Sequence, residues 1–319
     1  MSDWQPSCSI ELLRLRAQLL MDIRQFFAKK SVLEVETPLL SQAIGTDVYL
    51  QFFRTQPQGF FLQTSPEFAM KRLLAAGSGS IFQICKAFRQ GDSGRFHNPE
   101  FTLLEWYRVG FDLSELMAEV IELLELLFKP HLSLLATEHS SYCQVFEDYT
   151  GLDALDFVLA DYNLVAKAHG FDDAELLCGN DPRLWLDFLF SQIVQPQLGK
   201  QALCLINDYP ACLSSLARLK IDNPQLTERL EVFYNGVELG NGYFELTDVN
   251  EQQQRFENEL AERKAKNLPA IVKDERLLAA LASGLPDCAG IAIGLDRLLM
   301  LISQASHIDE VLAFPVNRA

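Results

Sequence analysis

The chain concentrates its β-forming residues in two windows, 81–109 and 203–246, and links the strands within each by local turns. In the first, Ile81–Phe88 and Glu100–Val109 flank a polar loop, Gln90–Asn98, that holds two glycines, and the pattern predicts a long hairpin. In the second, Leu203–Ile206, Arg229–Tyr234 and Gly242–Leu246 read as strands, with Asn235-Gly236 and Gly240–Gly242 as turns. No strand–helix–strand alternation joins them, which argues against a doubly wound parallel sheet. The expected fold is α+β: an antiparallel sheet flanked by helices.

The helices are predicted at Ile10–Lys30 with Ser9 as cap, Glu67–Ala76 behind Pro66, Leu113–Phe128, Asp248 to about Lys266 with a cap pattern completed by Glu251, and Leu295–Gln304. Shorter strands are expected at Val32–Glu36 and Gly290–Gly294, and as a hairpin pair, Tyr49–Phe53 with Phe60–Gln63, around Pro57–Gly59. The whole of 1–319 is expected to be a single domain, with a helical insertion at about 129–200 that carries no motif.

Charge narrows the partners. With 27 basic and 43 acidic residues the formal charge is −16, which argues against a surface that binds nucleic acid or anionic membranes broadly. No apolar stretch reaches the roughly 18–20 residues of a membrane span, and the N-terminus lacks the pattern of a secretion signal, so a cytoplasmic protein without membrane association is expected. The seven cysteines are odd in number and scattered without a CxxC pair, as expected for reduced thiols.

Against this acidic background, the window 71–108 is basic: Lys71, Arg72, Lys86, Arg89, Arg95 and Arg108 face only Asp92, Glu100 and Glu105. Arg89, Arg95 and His97 lie at the hairpin tip, where they could hold an anion such as phosphate or simply be solvated. Alternation puts Phe101, Leu103, Glu105 and Tyr107 on one strand face: a ring to stack on a base and a carboxylate to pair with an ammonium, or plain core. Glu231, Glu238 and Glu245 supply hard oxygen donors suited to Mg2+, or an acidic sheet edge. Arg297 sits in the first turn of a helix behind Gly294, a weak anion-site signal by itself.

Together these pieces resemble the three motifs of class II aminoacyl-tRNA synthetases. The first helix with Val35–Pro38 is similar to motif 1, Phe88-Arg89 with Arg95–Phe101 and Leu104–Tyr107 to motif 2, and Gly290–Arg297 to motif 3. Ser65–Glu67 and Gly236–Glu245 resemble the lysyl subgroup. The chain is expected to lack the anticodon-binding domain of that subgroup, because motif 1 begins near residue 10. It therefore resembles most the lysyl-like ligases that modify a protein instead of tRNA, joining (R)-β-lysine to a lysine of elongation factor P.

The resemblance implies ATP and Mg2+, a homodimer through motif 1, no tRNA, and an aminoacyl-adenylate passed to an acceptor amine. It implies catalytic roles for Arg89, at the α-phosphate and the substrate carboxylate, and Arg297. Phe101 and Arg297 would sandwich adenine, and His97, Asn98, Gln90, Gly91, Leu239 and Gly294 would complete the nucleotide set. Glu231 and Glu238 would hold the metal, with Glu238 also in the nucleotide set. For the amino acid it implies Ser65, Pro66, Glu67, Glu105, Tyr107, Asn241, Glu245 and Ala292. Three carboxylates suit a substrate with two ammonium groups, since buried carboxylates without partners are costly.

Two positions depart from the pattern. Gly91 stands where the family has a glutamate that receives the adenine amino group, a loss worth roughly 1–3 kcal/mol unless Asp92 replaces it across a bulged loop. Ala292 stands where lysyl-tRNA synthetases have glycine, and its methyl is expected to disfavour α-lysine by roughly 1–3 kcal/mol. Two other functions stay open: a ligase using α-lysine with another acceptor, and a non-catalytic paralogue that binds an amino acid and regulates a partner.

Overall fold

The computed structural model describes residues 4–319, which form two compact units. One holds the chain up to Asp112 and again from Leu246; the other is Leu113–Glu245. In chain order the first unit gives α1 (Ile10–Lys29), β1 (Leu33–Glu34), β2 (Leu40–Ser41), β3 (Phe61–Leu62), α2 (Glu67–Ala75), β4 (Ile81–Phe88) and β5 (Glu100–Val109). The second gives α3 (Leu113–Phe128), β6 (Glu138–Ser141), α4 (Tyr142–Thr150), α5 (Leu159–Ala168), α6 (Ala174–Cys178), α7 (Pro182–Leu189), β7 (Leu203–Pro210), β8 (Leu226–Tyr234) and β9 (Val237–Phe244). The chain then returns to the first unit with α8 (Val249–Ala265), α9 (Glu275–Gly284), β10 (Cys288–Gly294) and α10 (Leu295–Ser303).

Within the first unit, four strands lie in the order β1-β4-β5-β10. β4, β5 and β10 are antiparallel and β1 joins β4 in parallel. Alternation gives the strands two different faces. Phe82, Trp106 and Ile291 form one cross-strand row, and α1 packs here, with Phe27 stacked 4.5 Å from Phe82 and 5.3 Å from Trp106. The helix starts where Ser9 Oγ accepts a hydrogen bond from Leu12 N–H, and it buries Leu19, Ile23, Phe26 and Phe27. The opposite face carries Gln83, Glu105 and Ala292 in the next row.

The second unit repeats the scheme with other contents. Its strands run β9-β8-β7-β6, antiparallel except for the parallel outer pair β6–β7. A core of Tyr142, Phe146, Tyr162, Trp185, Phe190 and Phe233 joins the strands to α4, α5 and α7. Phe128 at the end of α3 stacks on Tyr234, with centroids 5.1 Å apart.

Several sequence expectations are corrected. Each unit carries one parallel outer strand, so the sheet is not purely antiparallel, and β6 lies inside the segment read as helical. Phe61–Leu62 pairs with Leu40–Ser41, and the expected hairpin around Pro57 is reduced to a short pairing: Leu62 N–H donates to Phe53 O at 3.0 Å, Thr55 N–H donates to Phe60 O at 2.7 Å, and Arg54 bridges Phe61. Gly240–Gly242 is not a turn: β9 runs through it, and Asn235-Gly236 alone reverses the chain, with φ of 49° and 73°. Gly236 is required there, since a Cβ would approach Pro196 Cα and Gln195 O to 3.1 Å. Lys71 does not belong to a basic surface, as its ammonium is buried and bonded to Glu67 four residues earlier.

Candidate functional site

In the first unit, the polar face of β5 and the start of α2 converge on Glu105. The side chain is 2% exposed, and its oxygens accept from the Ser65 and Tyr107 hydroxyls, each at 2.7 Å. Ser65 also accepts from Glu67 N–H at 3.0 Å, which fixes the turn at Pro66 that opens α2. Glu67 itself takes Lys71 Nζ at 2.7 Å. Burial pushes the Glu105 carboxyl up to about 7, and the charge of Glu67 adds to the rise, while the two hydroxyls and Lys71 oppose it. The same burial, with Glu105 nearby, pushes the Cys85 thiol up to about 12, so it is no nucleophile.

Small residues line the β10 side of this face. Opposite Tyr107, Glu105 and Leu103 on β5 stand Gly290, Ala292 and Gly294 on β10. Ala292 is thus the cross-strand neighbour of Glu105, and its methyl projects on the same face.

Arg89, just past β4, lies over the Phe101 ring with its guanidinium carbon 5.1 Å from the centroid. Its Nε is buried with no hydrogen-bond partner among the described residues, a donor suited to an anionic ligand. Arg297, in the first turn of α10, donates to His97 Nε2 at 2.6 Å and to Phe96 O at 3.3 Å. The imidazole nitrogen must accept here, which leaves the proton on Nδ1. Asn98 is buried, with its amide held between Glu100 O and Val316 N–H.

At Gln90-Gly91 the loop turns: Gly91 has φ of 87°, so Asp92 does not continue an extended strand. Gln90 N–H donates to Gln51 O at 3.0 Å, and a Cβ on Gly91 would lie 3.5 Å from Gln51 Oε1. Gln51 had no signal in the sequence. Neither had the pair that seats α10: buried Asp296 accepts from Arg16 of α1 at 2.5 Å and from Thr102 N–H of β5 at 2.7 Å. This fixes the residue next to Arg297 from two directions.

The remaining expected residues lie in the second unit on β8, β9 and just beyond. Glu231 stands opposite Asn241, and Glu238 opposite Phe233 after a bulge, with Leu239 buried beside it. Glu231 Oε1 takes Arg229 at 2.6 Å, and Arg229 also donates to Leu213 O at 2.6 Å and lies over the Tyr209 ring. Burial raises the Glu231 carboxyl; Arg229 opposes and the charge of Glu238 adds to the rise. Two carboxylates close enough to repel fit Mg2+, which takes one or two protein carboxylates and completes its shell with phosphate oxygens and water. No group of three or more acidic, His or Cys side chains suited to a metal occurs among the described residues. Glu245 is 1% exposed. No helix among the described residues is long and apolar enough to cross a membrane.

Comparison with known proteins adds the following. The family of class II tRNA synthetases (D, K and N) matches residues 3–318. The chain is 45% identical over 325 residues to the elongation factor P–(R)-beta-lysine ligase of Pasteurella multocida, covering 99% of this chain and 98% of that protein. The proteins of the same name from Mannheimia succiniciproducens and Vibrio vulnificus are each 46% identical, over 325 and 323 residues, again covering 98% of their lengths.

Proposed function

Because the chain belongs to the class II tRNA synthetase family (D, K and N), matched along nearly its whole length, we propose that it is an ATP-dependent ligase that joins (R)-β-lysine to a lysine side chain of elongation factor P. The observation that carries this reading beyond the relatives' names is the cluster around Glu105: a buried carboxylate held by neutral hydroxyls, beside a second carboxylate, on a face where β10 presents the small residues Ala292 and Gly294. Such a group gains its charge partner from an ammonium-bearing substrate.

In the proposed first step, the β-lysine carboxylate attacks the α-phosphorus of ATP in line; a C–O–P bond forms, the bond to the β-phosphate oxygen breaks, and pyrophosphate leaves. Arg89 would neutralise the charge gathering on the α-phosphate, and its partnerless Nε supports that role. Phe101 offers a ring face to the base; Arg297, with His97, Gln90, Gly91, Asn98, Leu239 and Gly294, completes the nucleotide set. Glu231 and Glu238 would hold Mg2+, which supplies charge neutralisation on the phosphates. In the second step the acceptor ε-amine attacks the acyl carbon, AMP leaves, and the amine gives up a proton. Ser65, Pro66, Glu67, Glu105, Tyr107, Asn241, Glu245 and Ala292 are assigned to the amino acid.

The reading includes a homodimer, supported by exposed Ile10, Met21, Leu33 and Leu40 along the motif 1 segment, and a cytoplasmic setting. The charge of −16 supports a protein acceptor rather than tRNA. The test is amino-acid-dependent ATP–pyrophosphate exchange with (R)-β-lysine, α-lysine and aspartate, followed by mass analysis of elongation factor P. Exchange favouring β-lysine, and one lysyl adduct on the acceptor, are expected. A preference for α-lysine would favour the other ligase reading, and amino-acid binding without exchange the regulatory one.

A further inference from the structure

On β9 and just past its end, Asn241, Tyr243 and Glu245 alternate and so share a direction. We propose that Tyr243 is a positioning residue: it orients the Asn241 amide so that its oxygen, not its nitrogen, meets the side-chain ammonium of the substrate. This rests on the reading of Asn241 as a substrate-binding residue.

An ammonium has only donors, so it needs an acceptor. An amide held by nothing can present either end. Here Asn241 Nδ2 donates to Tyr243 Oη at 3.0 Å, and Tyr243 Oη donates to Ser215 Oγ at 3.2 Å. With its proton committed to Ser215, the phenol offers Asn241 a lone pair. The NH2 end matches it; while Tyr243 donates to Ser215, a flipped amide would set oxygen against oxygen. Asn241 Oδ1 is left buried, with no partner among the described residues.

The anchor is built into the fold. Ser215 lies at φ of 49° in the loop before Arg218. Ala217 bridges to Glu245, Arg218 N–H donates to Phe244 O at 3.1 Å, and Arg218 Nε donates to Glu245 O at 3.0 Å. The guanidinium of Arg218 covers the Phe244 ring at 3.7 Å. One loop thereby holds both the relay to Asn241 and the backbone of Glu245. Neither composition nor spacing marks Tyr243, because a tyrosine in a strand is ordinary packing.

Tyr243→Phe keeps the ring and removes only the hydroxyl. In pyrophosphate exchange the variant is expected to raise KM for (R)-β-lysine about five- to tenfold, leaving KM for ATP and kcat within twofold. With a β-amino acid of equal length but no terminal ammonium, variant and wild type are expected to match. Placed on top of Asn241→Ala, Tyr243→Phe is expected to add nothing, since both remove the same oriented oxygen. A raised KM for ATP, an equal loss with both amino acids, additive effects, or an unchanged KM for β-lysine would each overturn the proposal. Calorimetric binding of (R)-β-lysine separates this from the ligase reading. If the wild type shows no exchange, that reading fails, while weaker binding by the variant still supports the positioning role and equal binding overturns it.

Discussion

Glu105 in the first unit and Glu231 in the second are both buried carboxylates on the second of three antiparallel strands, and they are satisfied in opposite ways. Glu105 receives hydrogen bonds from two hydroxyls, whereas Glu231 is paired with the Arg229 guanidinium. Hydroxyls satisfy the lone pairs but bring no charge, and so burial raises Glu105 to about 7. At Glu231 burial raises the carboxyl as well, but there an arginine brings the charge with it and opposes the rise. On the proposed reading, Glu105 awaits its cation from the substrate, while Glu231 already has one from the fold in Arg229 and would share Mg2+ with Glu238.

The comparison breaks most visibly by removing each group. Glu231→Ala leaves Arg229 buried without its ion partner, and a loss of about 3–5 kcal/mol in denaturant unfolding is expected. Glu105→Gln removes a costly buried charge and is expected to leave stability equal or higher at pH 8. It should cut β-lysine-dependent exchange about 10- to 150-fold, the loss of one charged hydrogen bond of about 1.5–3 kcal/mol. Similar destabilisation by both substitutions would mean that the two carboxylates do one structural job.

Titration sharpens the contrast. The Glu105 carboxyl is raised from its ordinary 4.5 to about 7, so the folded state binds more protons than the unfolded state between those values. Its contribution to stability is therefore most favourable at low pH and falls as pH rises through that window. Substrate affinity runs the other way, because only the carboxylate pairs with an ammonium. KM for β-lysine is expected to fall as pH rises through about 7, and to lose that step in Glu105→Gln. The smallest expected effect is at its cross-strand neighbour: Ala292→Gly should shift preference toward α-lysine by about 1 kcal/mol, roughly fivefold, read as the ratio of kcat/KM values. An unchanged ratio would remove Ala292 from the specificity argument.

Much of the fold was legible because it is set by near neighbours. The β4–β5 hairpin, α3 and the Ser9 and Asp248 caps all follow from residues a few places apart, while the roles of Arg89 and Arg297 came from the resemblance to the family's motifs. The turn at Gly240–Gly242 was misread because glycine punctuation in a strand looks the same as in a loop; cross-strand pairing with β8 decided it. Lys71 was legible in principle, four residues from Glu67, but a window charge count conceals which side chains are buried.

By itself the sequence determined the longer helices, the two β-rich windows and the chemistry available along them, since local backbone preference and alternation depend on nearby residues. Only the tertiary structure decided that Ala292 stands beside Glu105, that Arg16 reaches Asp296, that Ser215 holds Tyr243, and that each unit gains a parallel outer strand. These depend on strand register and on contacts between distant segments. A one-residue slip would turn Ala292 to the other face, and nothing local to that residue forbids the slip.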